Sequence, residues 1–305
     1  MTIAVTLRRR AYEALLATTS RARIAWQRFA DRRILGQLAD SNPLGTRLVA
    51  CFDRLDTQTS AEHARIHAIE QERRRMLNDD SPLIDGSEAE PGLYDKGQTI
   101  GAVTKVSKSP RGALLLYQFI REFRPQLVVE LGTNVGISAA YQAAALNENA
   151  NGGRLVTLEA SPYRLRLAKS LHAKLGLENI SYVQGLFSDT LQPALAEHGH
   201  QVDLAYIDGH HQYQPTLDYF EALWRYSRQT AIFVFDDIRW SEGMLRAWTQ
   251  LRADPRLDIT VDLGSIGLGF RAAGSPRATP RAVYSVLHPG DPAAKTDLEE
   301  RSLRG

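Results

Sequence analysis

Residues 128–138 read VVELGTNVGIS. An apolar run, Leu127 to Val129, leads to an acid, Glu130, then to a turn from Gly132 to Gly136 and a helix opening at Ile137 and Ser138. A turn this tight favours glycine, because the backbone must bend sharply and admit a ligand with no Cβ in the way. In an open α/β sheet the crevice between strand and helix is where a nucleotide-like ligand sits. The spacing is informative. A dinucleotide fingerprint needs three glycines as G-x-G-x-x-G, whereas Gly132 and Gly136 stand alone, four apart, two residues beyond Glu130. The alternative is an ordinary β-turn-α connection.

Working outward, residues 92 to about 272 alternate strand and helix, as a parallel sheet covered on both faces requires. Strands are predicted at 127–130, 155–159, 180–183, 202–207 and 231–235, and a hairpin at 259–263 and 266–270 turned by Gly264 and Ser265. Helices fall between them, with Ser161-Pro162 and Ser241 as N-terminal signals. Upstream, residues 1–90 read as a helical extension. Tyr12, Leu15 and Leu16, then Trp26, Phe29, Ala30, Ile34 and Leu38, recur at helical spacing. Thr59 and Glu62 form a capping-box pattern before a helix carrying Ile66, Ile69, Met76 and Leu77. Residues 273–305, rich in Pro, Ala, Gly and Arg, read as a mobile tail with a short ordered piece near Tyr284 to Leu287.

The bulk numbers exclude several classes. With 43% apolar and 24% charged residues, the 305-residue chain is ordinary for a soluble globular protein. A net charge of +2 does not call for nucleic acid. One cysteine, Cys51, rules out an internal disulfide framework and a cysteine metal cluster. No apolar run is long enough for a transmembrane segment, so the expectation is a cytoplasmic protein. The first 33 residues hold eight arginines against Glu13 and Asp31. Such a helix can lie on a membrane. Packing against its own domain, or against a second copy as a homodimer, is the preferred reading.

Acids recur at the ends of the predicted strands: Glu130, Glu159, Asp208 and the pair Asp236-Asp237. Glu159, at the end of the neighbouring strand, can accept both hydroxyls of a ribose. Asp208, Asp236 and Asp237 are hard oxygen donors that suit Mg²⁺ or another divalent cation. Gly185, Leu186 and Phe187 can flank an adenine, with Leu186 or Phe187 as apolar wall and core packing as the competing role of Phe187. The adjacent His210 and His211 would make a transition-metal site only against the prevailing carboxylates. Trp240 and Tyr213 are each either pocket lining or core aromatics.

Three segments, G-T-x-x-G-I-S at 132–138, D-G-x-H-x-Y at 208–213 and F-D-D-I-x-W-S at 235–241, together resemble class I S-adenosylmethionine (SAM) methyltransferases of the broad small-molecule O-methyltransferase group. That resemblance implies an α/β fold: a Rossmann-like, mostly parallel sheet with an antiparallel last strand, behind an N-terminal helical extension. It assigns to SAM the residues Glu130, Gly132, Thr133, Asn134, Gly136 and Ser138 of the first segment. Glu159, Ala160, Gly185, Leu186, Phe187, Asp208 and His210 complete that set, with Glu130 drawing the methionine ammonium. In metal-dependent catechol-type relatives an Asp ends the fourth strand and Asp-Asp or Asp-Asn the fifth, matching Asp208 and Asp236-Asp237. Those relatives place a lysine base where this chain has His211, a side chain able to do the same work near neutral pH. The catalytic candidates are therefore His211 and Asp208, and the acceptor a small hydroxylated molecule. Lys105, Lys108 and Ser109 lie in the loop that closes over the SAM carboxylate in similar enzymes.

Three rivals differ in class. An NAD(P) oxidoreductase lacks its third glycine and a Tyr-x-x-x-Lys motif here. A nucleic-acid methyltransferase lacks both N/D-P-P-Y and a cysteine nucleophile in the catalytic region. A metal-independent methyltransferase of the same fold, or a non-catalytic SAM-binding module, remains the alternative.

Overall fold

The computed structural model describes residues 22, 24–40, 43–84, 95–198, 201–272, 277–280 and 282–289. The predicted helical residues Tyr12, Leu15 and Leu16 lie outside this set. Helices are α1 (24–40), α2 (Pro43–Asp53), α3 (Ser60–Leu77), α4 (Ile100–Lys105), α5 (Pro110–Phe123), α6 (Ile137–Asn149), α7 (Pro162–Lys174), α8 (Phe187–His198), α9 (Tyr213–Arg225) and α10 (Glu242–Ala253). Strands are β1 (Leu127–Leu131), β2 (Arg154–Glu159), β3 (Ile180–Gln184), β4 (Val202–Ile207), β5 (Ser227–Phe235), β6 (Ile259–Asp262) and β7 (Gly267–Phe270). They form one sheet in the order β3-β2-β1-β4-β5-β7-β6. The first five are parallel, and β7 runs antiparallel to both β5 and β6. This is the mostly parallel, Rossmann-like sheet that the sequence led us to expect. The switch point, where β1 lies between β2 and β4, is where such sheets open a crevice for a ligand.

Alternation along the strands divides the interior in two. Val128, Leu204, Tyr206, Ile232 and Val234 face a core shared with α5 and α6. Leu127, Val129, Leu131, Ala205, Ile207, Phe233 and Phe235 face the α8–α9–α10 side. Leu48, Cys51, Ile69 and Met76 of α2 and α3 join the first core, so these N-terminal helices pack on the α5–α6 layer. Arg47 of α2 and Arg54, one residue past its end, both bond Glu122 of α5. The capping box at Thr59 and Glu62 forms as read.

Several boundaries and faces differ from expectation. β5 begins four residues before Ala231, through exposed Arg228, Gln229 and Thr230 that hide the strand signal. Trp26 and Phe29 of α1 face outward, while Asp31 is enclosed, accepting from the Ser285 backbone at 2.8 Å. Of the expected tail, the described residues include a 3-10 turn at Tyr284–Val286 whose Val286 is buried. No helix among the described residues is long and apolar enough to cross a membrane.

Candidate active site

The turn after β1 is built as its glycines demand. Gly132, Asn134 and Gly136 all have positive φ, at 99°, 48° and 87°. A Cβ on Gly132 would stand 1.9 Å from the Asp208 carbonyl oxygen, and one on Gly136 would stand 2.7 Å from His172 Nε2. His172 also explains how the turn is held: Nε2 bonds the Gly136 carbonyl oxygen and Nδ1 bonds the Tyr182 hydroxyl, both at 2.8 Å. Burial pushes the imidazole down to about 4, so it is neutral. Nothing in the turn motif pointed to this histidine, 36 residues downstream.

Glu130 lies inside the fold. Period two along β1 turns it to the same face as Val128, beneath α6, and it is fully enclosed. Gln142 Nε2 and Thr157 Oγ1 donate to its two oxygens at 2.6 Å each, and Ser138 bonds it as well. Burial raises its pKa to about 7 against those bonds. Held by these three donors, it braces the turn from below. Thr133 is turned inward likewise, its hydroxyl 2.6 Å from that of Thr157. Ser138 is 5% exposed.

Glu159 fits its expected place. It closes β2, and its carboxylate is fixed by the backbone N–H of Asn134 at 2.8 Å and of Ser161 at 2.9 Å. The Asn134 side chain donates to the Val103 carbonyl and accepts from Arg164, tying the turn to α4 and α7. Ala160 beside Glu159 is exposed. In the β3–α8 connection, Gly185 has φ 140°. Leu186 is 52% exposed, whereas Phe187 packs edge-on against Tyr219 and touches Gly209. Leu186 is thus the exposed one of the two, and Phe187 packs against the core.

The ends of β4 and β5 bring the acids together, with a change of membership. Tyr206, on the same strand face as Asp208 and Asp236, bonds both carboxylates. Lys108, from the α4–α5 connection, reaches 128 residues along the chain to pair with Asp236. Burial and the Asp236 charge hold the Asp208 pKa well above the carboxylate range, although its side chain keeps some solvent contact. For Asp236 burial works in the same direction, but the Lys108 ammonium beside it holds the group below the usual value. Lys108 is a firm cation: burial is outweighed by Asp236, Asp208 and Asp237. The predicted metal trio is accordingly not the one assembled. Asp236 is taken by Lys108, and His211 stands in its place, its Nε2 3.6 Å from Asp208 and 4.0 Å from Asp237. Asp208, His211 and Asp237 present ligand atoms within 4.8 Å of one another. Two carboxylates and an imidazole could hold a divalent cation, though a nitrogen donor suits Mn²⁺ or Zn²⁺ better than Mg²⁺.

The loops themselves are strained. His210, His211 and Asp237 have φ of 68°, 25° and 49°, conformations that cost non-glycine residues about 1–3 kcal/mol each and gather at functional sites. His210 is turned aside to the Tyr219 hydroxyl at 2.8 Å, leaving His211 as the histidine beside the acids. Trp240, 67% exposed, stands 6.1 Å from the His211 ring and lines the cavity rather than the core. Tyr213 is occupied elsewhere, donating to Gln250 at 2.5 Å.

A cavity of about 720 Å³ opens beside these acids, with Asp208, Asp236, Asp237 and Trp240 on one side and residues of α3 and the α4–α5 connection on the other. The contribution of α3 was not legible in sequence. The expectation for Lys108 rested on resemblance and concerned a different partner.

Comparison with known proteins agrees with this geometry. Residues 129–238, from β1 to just past the Asp236-Asp237 pair, match the model of a family described as a methyltransferase domain. The match covers the part of the sheet that carries the glycine turn, Glu159 and the acids at the ends of β4 and β5. The chain is similar to a catechol O-methyltransferase of Niastella koreensis, 29% identical over 134 residues, covering 44% of this chain and 58% of that protein. It is also similar to an uncharacterised protein of Acanthamoeba polyphaga mimivirus, 32% identical over 81 residues, covering 26% of this chain and 34% of that one. The chain thus spans 58% and 34% of the lengths of these two relatives. Among solved structures it is similar to an O-methyltransferase from Bacillus cereus in complex with SAH, at 19% identity and a TM-score of 0.48, covering 71% of this chain and 99% of that one.

Proposed function

We propose that the protein is a SAM-dependent methyltransferase that methylates a hydroxyl oxygen of a small molecule. The observation that carries the reading is one rim of the sheet. Glu159 closes β2 beside a glycine turn, and two strands away Asp208 and Asp237 line a cavity with His211 beside them. The likeness to a catechol O-methyltransferase supports the choice of oxygen.

When bound, SAM supplies a methyl group already activated on a sulfonium, which departs as a neutral thioether. The chain's own residues have then to hold and deprotonate the acceptor. His211 is placed to take the hydroxyl proton, with Asp208 orienting its Nε2 side and Trp240 covering the acceptor. Glu159 holds ribose hydroxyls, and Leu186 flanks the adenine. A divalent cation held instead by Asp208, His211 and Asp237 would lower the pKa of the hydroxyl, and His211 would then be its ligand and not the base.

One observation favours a second, metal-independent version: the Lys108 ammonium already sits among the carboxylates. The tests separate these readings. SAM or SAH, but not NAD, is expected to raise the melting temperature, by the mass-action stabilisation of a native-state ligand. An unchanged Tm at millimolar SAM would overturn the assignment. With labelled SAM and catechol-type acceptors, turnover lost to EDTA and restored by Mn²⁺ or Mg²⁺ supports the cation. Turnover indifferent to EDTA but lost in Lys108→Met supports the ammonium.

A further inference from the structure

The wall of the cavity facing the acids has a character that methyl transfer alone does not require. It carries Arg73 and Arg74 from α3 and Lys105 from the end of α4. Arg73 is 6% exposed. Its Nε donates to Glu70 Oε1 at 2.9 Å and its Nη1 to the Lys108 carbonyl at 2.6 Å. Nη2, closed off from solvent, finds no acceptor in the protein. A charged donor left unmet is costly, and proteins rarely keep one without a use. Glu70 offsets only part of the charge of this wall, because Arg74 and Lys105 stand alongside Arg73. Neither the glycine turn at 132–136 nor Glu159 nor Leu186 lines this space, so it belongs to the acceptor's side of the site.

We propose that Arg73, with Arg74 and Lys105, forms an oxyanion subsite, and that the acceptor carries a carboxylate or phosphate away from its reacting hydroxyl. The inference rests on the transferase reading for the word acceptor, but the anion preference can be measured without turnover. A guanidinium is suited to either oxyanion, since its planar N–H groups match both geometries.

The test is binding by titration calorimetry in the presence of SAH, using 3,4-dihydroxybenzoate against uncharged catechol, alongside methyl transfer to the same two compounds. The carboxylate is expected to bind at least about tenfold tighter, the scale of one charge-assisted hydrogen bond. Arg73→Gln should erase the ratio and Arg73→Lys retain part of it. Because Arg73 is buried, Arg74→Gln and Lys105→Gln provide the control for misfolding, each expected to lower the ratio by about threefold through lost charge alone. Competition by benzoate or by phenyl phosphate tells which oxyanion the subsite takes. Equal affinity for both catechols, or an unchanged ratio in all three glutamine variants, overturns the subsite even if catechol is methylated. A carboxylate preference that depends on Arg73 sustains it even if neither compound is methylated, in which case the transferase reading is what falls.

Discussion

At the scale of single residues, His211 and His172 illustrate opposite uses of the same side chain. His211 stands on a left-handed backbone between Asp208 and Asp237. His211→Ala is expected to lower kcat by about 100-fold or more, the usual contribution of a general base, with SAM affinity little changed. Comparable losses in both, read by single-turnover kinetics and calorimetry, would argue against that role. His172 is locked inside, neutral, under the glycine turn. Its folded pKa of about 4 lies below the unfolded value of 6.5. Its contribution to stability is therefore present above pH 6.5 and is lost as pH falls towards 4. A shift of this size corresponds to roughly 3 kcal/mol. Melting curves between pH 7 and 4 should show a shallower acid limb for His172→Gln than for the parent, and parallel limbs would refute the assignment. Residue identity in the motifs was legible in the chain, but side-chain direction was not. Glu130 and Asp236 look alike as strand-end acids. The pleat turns Glu130 beneath α6, and a lysine 128 residues away claims Asp236. Long-range pairings of that sort leave no local trace.

Elements were easier to read than their contacts. The five β-α units, the capping box before α3 and the antiparallel β7 all followed from apolar alternation and cap chemistry. Where these signals weaken, as in the polar first half of β5, the boundary moved. The β1–α6 turn is the element on which most depends. Gly136→Ala would force φ of 87° on a residue with a Cβ and press that atom against His172. We expect a loss of about 1–3 kcal/mol in stability and weaker SAM binding, seen as a lower urea midpoint and a smaller Tm rise with SAM. A variant as stable as the parent would mean that the turn relaxes freely.

On the scale of the whole molecule, the N-terminal helices belong to the energetics of the sheet. Leu48, Cys51, Ile69 and Met76 share one apolar core with α5 and α6. Charge pairs to Glu122 reinforce the contact. Amides in the middle of α3 should therefore exchange with solvent only as slowly as those of α5. If α3 exchanges more than about thirtyfold faster, it opens as a separate unit. Composition alone suggested an extension, because the apolar stripes of α2 and α3 do not reveal what they cover.

The cavity is a joint product of two stretches of chain. The matched segment, 129–238, supplies the glycine turn, Glu159 and the acids at the ends of β4 and β5. The opposite wall comes from residues 70–77 and 104–110, all outside it. On the proposed function, donor handling and most of the acceptor's wall would be encoded separately, with Lys108 linking the two. Drift in α3 would then retune which molecule is accepted while the acids and Lys108 stay in place, and exchanging that helix between relatives is the natural route to redirecting it.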